Sequence, residues 1–158
     1  MKRILISSAV AVLGFTLLLG IAYPLAITGI AQVIPTREVV LAEATHVGDP
    51  RYFQPRPSQT DYSADATFFA NRGPNSSSAK FFYEEQIAAY RAMNDGADPP
   101  MDAVTNSASG VDPDISHENA VIQARRIARV RNLPAERVLA LVGDGNVNTT
   151  KLNEALDR

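Results

Sequence analysis

The sequence predicts an α+β protein: a single N-terminal transmembrane helix followed by one small extracytoplasmic α+β domain. Three observations predict it. From Ile4 to Ile34 the chain runs thirty-one residues without Asp, Glu, Lys or Arg. Beyond that run, apolar stripes at helical spacing alternate with proline-rich and β-branched stretches. The chain contains no cysteine, so the domain rests on a core rather than on disulfides.

The apolar run is long enough for a membrane. A hydrocarbon core of roughly 30 Å takes about 20 helical residues, and Ile4–Tyr23 supplies them. Residues 1–3 then form a cytoplasmic N-terminus, residues 4–34 the helix with its interfacial end, and residues 35–158 the outer domain. Lys2 and Arg3 precede the run, whereas Arg37 after it is followed at once by Glu38. The positive-inside rule therefore places the C-terminal part outside the cytoplasm. A cleavable secretory signal, with Gly20-Ile21-Ala22 as its small-x-small site, is the alternative. The run exceeds the length of a signal core and continues past Pro24, which favours the anchor. Both readings put the domain on the same side.

Composition narrows the function. Taking Lys2 and Arg3 from the formal charge of −2 leaves −4 on the part from Arg37 onward. An acidic domain is a poor nucleic-acid partner. A segment of 122 residues is long enough to bury one core.

Within the helix, Pro24 predicts a kink or an end near Ala22-Tyr23. Tyr23 falls where interfacial aromatics sit, and Gly14 and Gly20 leave notches that another helix could approach. Glu38–Val47 is short and partly β-branched and predicts a strand. The prolines from Pro50 to Pro57 and the polar residues to Ser78 predict extended loop. Ala79–Asn94 predicts a helix with Phe82, Gln86, Ala89 and Met93 on one stripe, widened by Tyr83, Ile87 and Tyr90, and stopped at Asp95-Gly96. Asp98–Met101 is a linker.

Ser116 is a good N-cap for a helix His117–Arg131, with Glu118 in its first turn. Ala120, Ala124, Ile127 and Ala128 form its expected buried stripe, and Arg125, Arg126 and Arg129 lie mostly off it. A helix from Pro134 to Val142, a turn at Gly143–Gly145, an extended Asn146–Asn148 and a last helix Thr149–Asp157 complete the chain.

Chemistry is sparse. His46 and His117 are the only histidines, so paired-histidine metal motifs are excluded and no metal site is expected. Phosphate-loop, GxGxxG and GxSxG patterns are absent. Ser107 and Ser109 have no assigned base, and Asp112 and Asp114 flank Pro113 as a turn that launches the next helix. Such a domain reads as a subunit rather than an enzyme, with no catalytic residues and no cofactor singled out by the residues themselves.

Several segments together resemble one family, the C subunit of Kdp-type potassium-transporting ATPases. They are Tyr23-Pro24-Leu25 with Gln32 downstream, Tyr52–Ser58 (YFQPRPS), Val104–Ser116 (VTNSASGVDPDIS), Gln123–Leu133 (QARRIARVRNL) and the closing Val147–Asp157. The approach to Arg51 is shortened relative to the family, and the stretch between Val142 and Val147 is trimmed.

The resemblance implies an accessory, non-catalytic subunit of an ATP-driven potassium uptake complex. Its partners would be a channel-like potassium-binding subunit, a P-type ATPase subunit and membrane lipid. It further implies a catalytic-chaperone role that raises the ATP affinity of the ATPase subunit, with ATP contact of its own. The expected partner-binding residues are Gly14, Gly20, Tyr23 and Pro24 on the helix, and Arg56 and Asp112 on the domain. The competing readings are a secreted domain released after Ala22 and a membrane-anchored regulatory or sensor domain.

Overall fold

The structure, a computed structural model, describes residues 1–34, 40–66, 68 and 71–158. It divides into two compact units, Met1–Val39 and Val40–Arg158.

The first unit is one continuous helix, Lys2–Val33. It comprises α1 (Lys2–Leu17), a π-type turn (Leu18–Ala22) and α2 (Tyr23–Val33). The helix does not end at Pro24, contrary to one of the two outcomes the sequence predicts. Proline has no N–H to donate, and its ring crowds the carbonyl one turn back. The widened turn just before it absorbs that conflict, and the helix runs on for nine residues past the proline. Thr28 Oγ1 donates to the Pro24 carbonyl at 2.8 Å, which satisfies a hydroxyl inside apolar surroundings. At 1.5 Å per residue the helix is roughly 48 Å long, and by length and composition it is able to cross a membrane.

The second unit is built on α5 (His117–Val130), in which seven of fourteen residues are buried. Ser116 caps it by accepting from the Asn119 N–H at 3.2 Å. At its other end Asn132 takes a positive φ of 54°, and the Leu133 N–H reaches back to the Ala128 carbonyl at 2.8 Å. That is a Schellman closure made with asparagine instead of glycine.

Ala124, Ile127 and Ala128 of α5 pack with Phe53, with Val138 of α6 (Ala135–Leu139) and with Leu152 of α7 (Thr149–Leu156). Full burial of a side chain such as Ile127 is worth about 2 kcal/mol. Two short strands, β1 (Asp114–Ile115) and β2 (Val147–Asn148), pair antiparallel and hold α7 beside the start of α5. Asn148 also caps α7, its side chain accepting from the Lys151 N–H at 3.0 Å.

Helix α3 (Ser77–Met93) starts on the Ser76 cap and closes at Asp95, where φ is 58° and the Gly96 N–H meets the Arg91 carbonyl at 2.8 Å. The αL residue of that closure is therefore aspartate, with Gly96 following it. A four-residue helix, α4 (Met101–Val104), starts at the last residue of the expected linker and runs beyond it.

Three expectations need correction. Of the predicted strand Glu38–Val47, Glu38 and Val39 lie outside the described residues. The remainder is irregular, with one helical turn at Ala44–His46. It is fastened by other means: the Ala42 N–H donates to the Val111 carbonyl, and Asn148 and Thr150 side chains donate to the carbonyls of Val40 and Leu41. The helix expected over Pro134–Val142 shortens to Ala135–Leu139, and turn-type bonds carry the chain through Leu141 and Val142. Arg126, expected mostly off the buried stripe, is 1% exposed.

Candidate functional site

Among the expected site residues, Gly14, Gly20, Tyr23 and Pro24 lie along the first unit's helix. Gly20 borders a shallow notch formed with Ala11, Val12, Phe15, Thr16 and Leu19. A Cβ at Gly14 would meet nothing within 4 Å. Both positions are open on the helix surface.

Arg56 and Asp112, fifty-six residues apart, come together. The Arg56 Nη1 donates to Asp112 Oδ2 at 3.2 Å, and its Nη2 donates to Thr105 Oγ1 at 3.2 Å and to the Asn106 carbonyl at 3.1 Å. Pro55 and Pro57 restrict the backbone on both sides of this guanidinium. The Ser107 N–H meets the Pro57 carbonyl at 2.8 Å, so the segments Tyr52–Ser58 and Val104–Ser116 are joined by main chain as well. Asp112 also accepts from the Asp114 N–H at 3.0 Å, which makes the turn expected there.

Gly110, at φ +77°, must be glycine: a Cβ there would collide with Thr60 Oγ1. Ser107 Oγ lies within hydrogen-bonding distance of Ser109 Oγ and accepts from the Asp112 N–H, so it serves the turn. The ion pair is about one-third exposed, with side-chain exposures of 26% and 34%.

The larger polar construction is one that sequence reasoning missed. Side-chain amides bond the main chain of Phe53 and Gln54 as a partner strand would. Asn153 accepts from the Phe53 N–H at 2.8 Å and donates to its carbonyl at 3.0 Å. Gln123 does the same for Gln54, at 2.6 Å and 3.1 Å. Arg126 continues the arrangement, its Nε donating to the Pro50 carbonyl at 3.0 Å and its Nη1 to Asn94 Oδ1 at 2.9 Å. Its Nη2 donates to the Tyr52 carbonyl and to Gln123 Oε1.

Burial lowers the Arg126 pKa to about 10, which still leaves the guanidinium charged at neutral pH, and its four acceptors satisfy that charge. Asp102, in α4, accepts from the Ser116 N–H, the Ser116 hydroxyl and Asn119 Nδ2, all within 2.9 Å. Asn119 in turn accepts from the Tyr90 hydroxyl at 2.9 Å. These groups satisfy one another across the core. A partial signal was available in the sequence: Gln123 borders the stripe of Ala120, Ala124 and Ile127, whereas Arg126 lies off it and is buried by the loop carrying Pro50 and Tyr52.

The histidines serve local structure. The His46 ring stacks on Tyr52 with centroids 3.7 Å apart, and Arg131 lies over the same tyrosine at 5.2 Å. The Tyr52 hydroxyl and Arg131 both donate to Asp157, at 3.1 Å and 2.6 Å. These bonds and the Arg131 charge hold the Asp157 carboxyl below its ordinary range. His117 Nδ1 meets the Gly143 carbonyl at 2.9 Å. Among the described residues no group of three His, Cys, Asp or Glu side chains is placed to hold a metal ion.

Comparison with known proteins places this arrangement. The family model described as "KdpC: K+-transporting ATPase, c chain" matches residues 5–158. A "Potassium-transporting ATPase KdpC subunit" of Cereibacter sphaeroides is 42% identical over 172 aligned residues, covering 93% of this chain and 92% of that one. A protein of the same name from Mycobacterium tuberculosis is 36% identical over 188 aligned residues, with both chains covered fully. With the helix, the segments Tyr52–Ser58 and Val104–Ser116 and the polar core all inside the matched region, the chain belongs to the KdpC family, the c chains of K+-transporting ATPases.

Proposed function

We propose that the chain is the C subunit of a potassium-transporting ATPase complex, held in the membrane by its first helix with the C-terminal domain outside the cytoplasm. The observation that carries this reading is the family match over residues 5–158, which spans helix and domain together. The basic pair Lys2-Arg3 before the helix supports the orientation.

In this reading the subunit is non-catalytic and stabilises the assembly of a channel-like potassium-binding subunit with a P-type ATPase subunit. Gly14, Gly20, Tyr23 and Pro24 dock the helix against a partner helix within the lipid. The Arg56–Asp112 pair presents a proline-stiffened loop, which loses little entropy on docking. A domain outside the cytoplasm does not meet cytoplasmic ATP. Any gain in ATP affinity through a chaperone role is then relayed through the partner subunits rather than through nucleotide held here.

The test is purification of the tagged full chain from its own membranes in mild detergent. Two further membrane proteins, with potassium-stimulated ATP hydrolysis in the eluate, are expected. Recovery of the chain alone, or a mature amino terminus at Tyr23, contradicts the reading and favours a secreted domain.

A further inference from the structure

Helix α3 is packed unlike the rest of its unit. Of its seventeen residues only Ala79 is buried, whereas α5 buries half its length. Its inward stripe was expected to be core, but Gln86 and Met93 are only half-buried and Ala89 is exposed. Beneath that stripe lies an open cleft of about 220 Å³, floored by Gln54, Asn119, Gln123 and Arg126. A second hollow of about 300 Å³ lies under Phe82 and Tyr83. Both spaces are open to solvent, and α3 spans them with one buried residue, Ala79.

The fastenings of α3 are uneven. At its C-terminal end Asn94 is 4% exposed and held by Arg126, Asp95 pairs with Arg129, and Arg91 pairs with Asp98 at 2.5 Å. Along the body of the helix, among the described residues, one hydrogen bond reaches α5: Tyr90 Oη to Asn119 Oδ1. The floor's polar groups are committed to each other, so the cleft offers little to a charged ligand. What fits it is the side chains already poised above it.

We infer that α3 is a hinged lid, pivoting on the turn Asn94–Pro100, that lifts from and closes onto this cleft independently of the α5 core. Regions with few buried apolar contacts open at lower free energy than the core around them. Closure brings Gln86, Ala89 and Met93 down onto the floor, and opening leaves the Arg126 network intact.

Because the chain has no cysteine, paired spin labels at Glu84→Cys on α3 and Arg125→Cys on α5, both exposed positions, test this on the full chain in detergent micelles. Pulsed electron–electron distance measurement is expected to give two separations, or one broad distribution. A single narrow separation overturns the lid. The Tyr90→Phe variant removes the hydrogen bond from the helix body to α5 and is expected to raise the longer-separation population about fivefold, whereas an unchanged distribution also overturns the lid.

Discussion

Arg126 is a positive charge placed inside the domain, and the groups around it define what its loss does. Replacing it with Met keeps much of the packing but strands the Pro50 and Tyr52 carbonyls and Asn94 Oδ1. Asn94 is buried, whereas Pro50 is exposed and Tyr52 half-buried. A stranded buried acceptor costs about 1–3 kcal/mol and one that water reaches costs less, so Arg126→Met is expected to destabilise by about 2 kcal/mol in denaturant unfolding of the full chain. Arg125→Ala, one residue earlier on the exposed side, is expected to leave the midpoint unchanged. Arg56 ties two loops and is partly solvated, so Arg56→Ala is expected to cost about 1–2 kcal/mol. A double-mutant cycle with Asp112→Asn separates its two roles. Coupling near zero in the isolated subunit, with a large loss of potassium-stimulated ATPase in the complex, assigns the pair to docking. Clear coupling in the isolated subunit assigns it to the loop clamp.

The elements differ in how openly the sequence announces them. Helix α5 is legible from Ser116, Glu118 and the alanines at helical spacing, because capping and periodicity are local properties. The burial of Arg126 is not legible in the same way. Arginine is rarely fully buried, and its acceptors come from loops 32 to 76 residues away. The expected strand at Glu38–Val47 failed for a related reason: its described part is fastened by Asn148 and Thr150 side chains, a tertiary arrangement that β-propensity does not encode. Of the candidate site, the proline-stiffened segments were legible, whereas the pairing of Arg56 with Asp112 was not, because fifty-six residues separate them. The membrane helix carries its own test. Gly14→Leu with Gly20→Leu is expected to weaken co-purification with partner subunits while leaving membrane insertion intact. Unchanged co-purification moves the docking role to the domain.

At the scale of the whole molecule, acid stability follows from the carboxylates that fasten the chain ends of the domain. Asp49 is lowered to about 2 chiefly by its bonds from Arg51, and Asp157 is lowered by Arg131 and Tyr52. A carboxylate with a depressed folded-state pKa contributes fully above its unfolded value near 3.8 and loses that contribution as pH falls toward the folded one. The domain is therefore expected to lose stability as pH drops from about 4 to about 2. The Asp157→Asn variant should show a shallower loss in the same window, read by thermal melts, and high salt should flatten both curves because these pairs are exposed.

Potassium-stimulated ATP hydrolysis in membranes that carry the partner subunits, with and without this chain, decides whether it serves as a subunit of a potassium-transporting ATPase. The activity is expected to fall to background without the chain, to return with the full chain, and not to return with residues 35–158 alone. Full potassium-stimulated activity in its absence rules that role out.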